Sequence, residues 1–287
     1  MPTRSSHVVI IDGLNYLHRA LGSRAPLTTV FTCLRKTVES LQASRAYFVL
    51  EGRPEAQLAV FADYKSNRKV QVDADDAEAV ARGKGKEDFL VCMNFAVDLI
   101  ARFLPISVVR HPRYEADSLI GTLVERMSSA VPITVVSSDT DFIQLLDRPH
   151  IKLFNAISKS YVTHEHTGDE YVAWKSLKGD PGDGIPGIRG IGKVTATRLV
   201  THHDELWRVL ADDPEKALIF KRNLELVRLV QLPETDFVEV ESSSPTRAWE
   251  ALREELRAAG QLRLTTDPYW TKKFITAFEP MWGIMEK

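Results

Sequence analysis

Residues Gly179 to Leu199 read GDPGDGIPGIRGIGKVTATRL. Asp180 and Asp183 stand three apart, a spacing that turns both carboxylates the same way in a helical turn. Glycines at 182, 184, 187, 190 and 192 follow or interleave. Glycines this dense admit left-handed turns and let backbone approach a ligand closely. Lys193-Val194-Thr195-Ala196 then opens a helix, whose first N–H groups are free and form a ready site for a phosphate. Acids suited to a cation thus stand within a few residues of amides suited to an anion. A flexible loop between helices would explain the glycines but not the aspartate pair. A calcium loop needs oxygen ligands at its first, third and fifth positions, and Gly182 occupies the third.

The chain has 287 residues, 44% hydrophobic and 26% charged, enough for one large domain or two smaller ones. Cys33 and Cys92 lie far apart without ligand spacing and read as buried thiols of a reducing compartment. The start, MPTRSSH, runs straight into the strand-like VVII, with no signal peptide and no membrane-length apolar run. A cytoplasmic protein with no membrane contact is the expectation. A net charge of −2 does not announce a nucleic-acid binder, so local pattern has to decide.

Short apolar runs at His7–Ile11, Ala46–Leu50, Ile106–Val109 and Ile133–Val136 alternate with helix-like segments such as Thr29–Ala43 and Val91–Phe103. This alternation predicts an α/β fold with a mostly parallel sheet covered by helices. Ligands of such sheets bind beyond the carboxyl ends of the strands. There the chain places Asp12, Glu51, Asp139 and Asp141, with Glu115 and Asp117 reached through a short loop. One acid at a strand end is an ordinary turn residue or helix cap, but their recurrence at every strand end predicts one shared site. Converging carboxylates repel and need protons or cations. With no histidine or cysteine among them, the donors suit Mg²⁺ or Mn²⁺ rather than zinc. Two such ions about 4 Å apart suit displacement at a phosphodiester.

Phe61–Lys86 (FADYKSNRKVQVDADDAEAVARGKGK) is basic at both ends and acidic over Asp73–Glu78. By composition it is a solvated surface helix. Its place after the second strand instead puts Tyr64, Lys65 and Arg68, with Lys69, near a bound phosphate. Helical patterns continue from Asp169 through Leu206–Leu210, Pro214–Leu232 and Arg247–Ala259. Trp270, Lys272, Lys273, Phe274 and Trp282 in the tail read as core and surface residues.

The pattern G-D-x-x-D-x-x-x-G-x-x-G-I-G resembles the helix–three-turn–helix of the 5′ nuclease and flap endonuclease superfamily, which includes the 5′-nuclease domain of bacterial DNA polymerase I and free-standing phage 5′ nucleases. The resemblance runs from about Val8 to Leu199. Asp12 matches the first-strand aspartate, Tyr64-Lys65-x-x-Arg68 the arch, Glu115-Ala116-Asp117 the E-A-D block and Asp139-x-Asp141 the D-x-D block. It implies a PIN-like core over 1–165 with a helical arch near 61–90, and a helical region over 166–287 with the hairpin motif near 170–202. It implies a metal-dependent nuclease acting on 5′ flaps, forks, nicks and 5′ ends of DNA, as a monomer in a bacterial cell or phage-infected host. Asp12, Glu51, Glu115, Asp117, Asp139, Asp141, Asp180 and Asp183 would hold two ions, while Tyr64, Lys65 and Arg68 would serve catalysis. Gly187, Gly190, Ile191, Gly192, Lys193, Thr195 and Lys69 would contact DNA, with K⁺ at the hairpin. Glu51 replaces the family's usual aspartate, and Ser118 stands where a second aspartate usually follows the E-A-D block. A weakened relative that binds forked DNA and a PIN-type ribonuclease remain as other readings. A dehalogenase-type phosphatase does not fit, because its D-x-D should follow the first strand, where this chain has Asp12-Gly13-Leu14.

Overall fold

A computed structural model of the chain describes residues 6–20, 23–66 and 77–285. Its strands are β1 (Val8–Asp12), β2 (Arg45–Leu50), β3 (Ser107–Arg110), β4 (Ile133–Val136), β5 (Ile151–Asn155), β6 (Ser160–Tyr161) and β7 (Glu241–Ser242). The helices are α1 (Gly13–Leu17), α2 (Pro26–Ser40), α3 (Glu55–Val60), α4 (Ala77–Phe103), α5 (Ala116–Arg126), α6 (Gly168–Lys178) and α7 (Lys193–Thr201). They continue as α8 (His203–Ala211), α9 (Pro214–Val227), α10 (Glu234–Phe237), α11 (Trp249–Ala258), α12 (Leu262–Thr266) and α13 (Pro268–Met285).

The seven strands form one sheet in the order β6-β5-β4-β1-β2-β3-β7. From β5 to β3 every pairing is parallel, and only the short edge strands β6 and β7 run antiparallel. β1 reads VVIID because it lies at the centre and is buried on both faces. Val9 and Ile11 point into one core with α2, α4, α11 and α13, and Val8 and Ile10 into the other with α5 to α9. The expected α/β architecture is therefore the one observed.

Residues on both sides of 165 share these cores. Tyr171 and Trp174 of α6 pack with Leu119 and Ile120 of α5, and Phe274 and Phe278 of α13 pack with Phe31 of α2. Trp270 stacks on Phe274 with ring centroids 4.7 Å apart, and Trp282 is buried, while Lys272 and Lys273 are exposed. Each such buried ring contributes on the order of 1.5–3 kcal/mol. Among the described residues, no helix is long and apolar enough to cross a membrane.

Helix limits differ from the sequence expectation, and at two C-terminal ends the cause is local. α2 ends at Ser40 rather than Ala43, because Gln42 adopts φ 52° and the Ala43 N–H bonds back to the Val38 carbonyl. That is a left-handed helix stop. α9 ends at Val227 rather than Leu232, where Arg228 turns extended and Leu229 instead donates its N–H to the Gln144 side chain.

Candidate active site

All the acids lie at the carboxyl end of the sheet. Asp12 closes β1 and begins α1, its buried carboxylate accepting from the Ser137 hydroxyl (2.7 Å) and the Asn15 N–H (3.3 Å). The same Ser137 oxygen accepts from the Asp139 N–H at 3.0 Å, and Asn15 exchanges hydrogen bonds with Ser138. The ends of β1 and β4 are thereby locked in register. Asp139 in turn accepts the Asp141 N–H at 2.9 Å, opening the 3-10 turn Thr140–Leu145.

On the other side, Gly52 lets the end of β2 approach the β3–α5 loop. A Cβ there would lie 1.9 Å from the His111 carbonyl oxygen, so no other residue fits. Glu51 thus reaches across to accept the Ala116 N–H (3.0 Å), occupying one of the free amides of α5. Glu115 and Asp117 sit on the first turn of the same helix, where its dipole favours negative charge. Ser118 is fully buried and gives its hydroxyl to Asp117 (3.2 Å), so it touches a site carboxylate.

Two lysines meet these acids. Lys65, in a left-handed conformation (φ 54°), donates its N–H to the Asp183 carbonyl at 3.0 Å. Its ammonium lies 2.6 Å from Glu115 and 4.0 Å from Asp183, with its side chain 18% exposed. A strained backbone at a charged mouth is where function tends to store strain. Tyr64 departs from the expectation of a ring facing the phosphate. The ring is buried against Val172, Ile185 and Leu226, and its hydroxyl donates to Glu115 at 3.1 Å. It positions that acid. Arg68, Lys69 and Asp73–Asp76 lie outside the described residues.

The second lysine, Lys175 on α6, was not singled out in the sequence. It is buried, with its ammonium on Asp141 and 2.6 Å from Asp180. Asp141, Asp180 and Asp183 each bring one carboxylate oxygen within 4.8 Å of the others. A short 3-10 turn, Pro181–Asp183, supplies the last two, with Asp180 accepting the Gly182 N–H at 2.9 Å. The all-carboxylate donor set and this spacing fit a hard divalent cation.

The hairpin divides by role. Gly179 and Gly187 pack on each other: a Cβ on Gly187 would meet the Lys178 carbonyl at 2.2 Å. Ile191 is buried in the core beneath α7. Gly187, although exposed, and the buried Ile191 side chain therefore help build the hairpin, so any contact they make with DNA would be through the backbone. At Gly190 (φ 84°) and Gly192 an added Cβ meets nothing within 4 Å, and Lys193 beside them is exposed, with Thr195 half-buried. These positions leave the backbone open to approach.

Residues 7–173 match the family described as 5′-3′ exonuclease, N-terminal resolvase-like domain. The chain belongs to this 5′-3′ exonuclease family. It is 31% identical over 232 residues to a 5′-3′ exonuclease of Bacillus subtilis, covering 72% of this chain and 73% of that one. Over 225 residues it is 26% identical to DNA polymerase I of Caldicellulosiruptor bescii, 69% of this chain but only 25% of the polymerase. In fold it resembles a bacteriophage T5 flap endonuclease solved in a complex with DNA and metal ions. That likeness has a TM-score of 0.67 and 18% identity, over 98% of this chain and 100% of the other.

Crowding at the site of this 5′-3′ exonuclease family member is visible in its proton affinities. Burial, then Glu51 and Asp139 nearby, push Asp12 up to about 7 against the Ser137 bond. Burial and Glu115 push Asp117 up to about 6. Burial pushes Asp141 up to about 7, although Lys175 opposes it. For Lys65, the carboxylates of Glu115, Asp183 and Asp117 overcome burial and hold its ammonium charged. Asp180, by contrast, is held below its usual value by Lys175 despite burial.

Because Asp12, Asp117 and Asp141 hold protons more tightly when folded than the unfolded value of about 4, stability should fall as pH rises from about 4 to 7. A divalent cation bound by these acids would replace those protons. The rise in melting temperature produced by Mg²⁺ is therefore expected to be larger at pH 8 than at pH 5.5, measured by differential scanning fluorimetry. Equal gains at both pH values would show that the cation does not bind these acids.

Proposed function

We propose that the chain is a divalent-metal-dependent 5′ nuclease that hydrolyses phosphodiesters in DNA carrying 5′ flaps, forks, nicks or 5′ ends. The observation that carries this reading is the convergence of Asp12, Glu115, Asp117, Asp139, Asp141, Asp180 and Asp183 around the mouth occupied by Lys65. Two Mg²⁺ or Mn²⁺ ions held there would supply activation of water and charge neutralisation at the phosphate. Asp141, Asp180 and Asp183 would hold one, and Asp12, Glu115, Asp117 and Asp139 would hold or orient the other. Glu51 keeps the start of α5 in place. Lys65, aimed by Glu115 and Asp183, would bind the non-bridging phosphate oxygens, a role proposed for Arg68 as well. The open amides at Gly190 and Gly192, with Lys193 and Thr195, would grip duplex backbone without reading bases, with K⁺ bound at the turn.

The test is cleavage of end-labelled flap, nicked and single-stranded DNA in Mg²⁺, Mn²⁺ and EDTA. Metal-dependent release from the 5′ side is expected. Tight flap binding without any cleavage would instead make the chain a binding relative, and preferential cleavage of RNA a ribonuclease.

The hairpin gives its own test. Gly192 has φ −88° and open space around it, so the fold accepts a larger side chain. Gly192→Val is expected to weaken duplex binding about tenfold, the cost of one lost charge-assisted contact, while sparing cleavage of short single strands. Equal losses on both substrates would remove the hairpin from duplex binding.

A further inference from the structure

At the opposite end of the sheet, roughly 15 Å from the acids by strand length, lies a cavity of about 550 Å³. It lies where α2 ends at Ser40, beside β4, β5 and β6. His7, Gln42, Thr134, His150, Lys152 and Tyr161 line the cavity, and among the described residues no carboxylate does. This inverts the charge of the other end. Thr134 and Lys152 are paired across β4 and β5, so their side chains share one face. Lys152 lies over the ring of Tyr161, its nitrogen 5.4 Å from the centroid, and that ring is half exposed. His7 holds the wall rigid, with Nδ1 donating to the Leu41 carbonyl (2.7 Å) and Nε2 bonded to Thr134 Oγ1 (2.9 Å). Gln42, the left-handed residue that stops α2, also lines the cavity.

We propose that this cavity binds a nucleotide through its phosphate. Lys152 and His150 take the anion, with no acid in the cavity to compete for them, and Gln42 offers an amide donor. Tyr161 provides an aromatic surface for the base. The volume lies in the range of small-molecule sites. The phosphate can belong to a free mononucleotide or to the end of a strand. The inference does not depend on the reading of the acidic site.

Calorimetry with deoxyadenosine 5′-monophosphate in EDTA tests it, using the full chain. Saturable binding is expected, absent for deoxyadenosine and weakened tenfold or more in Lys152→Ala and in His150→Ala. The Asp141→Asn variant should bind as tightly as the wild type, which separates this cavity from the acidic site. Displacement of the nucleotide by a short 5′-phosphorylated oligonucleotide would identify a strand end as the source, and failure to displace it would identify the free nucleotide. Lack of saturable binding, or equal affinity in both lysine and histidine variants, overturns the proposal.

Discussion

Asp141→Asn is expected to lower Mg²⁺-dependent flap cleavage by about 10³-fold or more, the scale of several kcal/mol supplied by metal catalysis. Duplex affinity measured in Ca²⁺ should stay within a few-fold. The side chain keeps its size, so the turn Thr140–Leu145 and its link to Asp139 are preserved. What changes is a buried charge that faces Asp180, Asp183 and Lys175. Asparagine still accepts from Lys175, so melting temperature should move little. Single-turnover rates near the wild-type value would remove Asp141 from the metal site, and a large loss of folding would make the variant uninformative there, in which case Asp183→Asn serves as the second measurement.

Lys65→Ala is expected to lower single-turnover cleavage about 10²-fold, the effect of deleting one preorganised electrostatic group. Its ammonium is placed by a left-handed backbone, by Glu115 and by Asp183, which is more than a solvated surface lysine receives. Loss of the cation also leaves Glu115 facing Glu51 and Asp117 without compensation. The rate loss should therefore be only partly recovered at high Mg²⁺. A rate within threefold of wild type would assign Lys65 to holding Glu115 alone.

The parallel sheet was legible because its central strands are buried on both faces and read as unbroken apolar runs, β1 and β4 above all. Asp12, Glu51, Asp139 and Asp141 were legible because each follows such a run, and Asp180 and Asp183 because of their spacing beside the glycines. Residues whose role lies in the direction of the side chain were not. Tyr64 beside two cations reads as a phosphate contact, yet its neighbours in space are Val172 and Ile185, distant in sequence. Gly187 and Ile191 sit in the same glycine stretch as Gly190 and Gly192, and only packing separates the two that build the hairpin from the two that face outward. Ser137 and Asn15 gave no signal beyond their neighbourhood to Asp139 and Asp12. Lys175 did leave one: acids that converge need cations, and a lysine five residues before Asp180 on a helix was available. α4 begins at Ala77, well before Val91, because its first half is charged and carries no apolar stripe to mark it.

Lys175 also bears on the order in which the molecule is assembled. Its ammonium travels with the chain and reaches Asp141 and Asp180 as soon as α6 docks on the sheet. Self-repulsion among those aspartates is thus relieved by a cation of the chain itself. A divalent ion held by Asp141, Asp180 and Asp183 would have to displace that tethered cation.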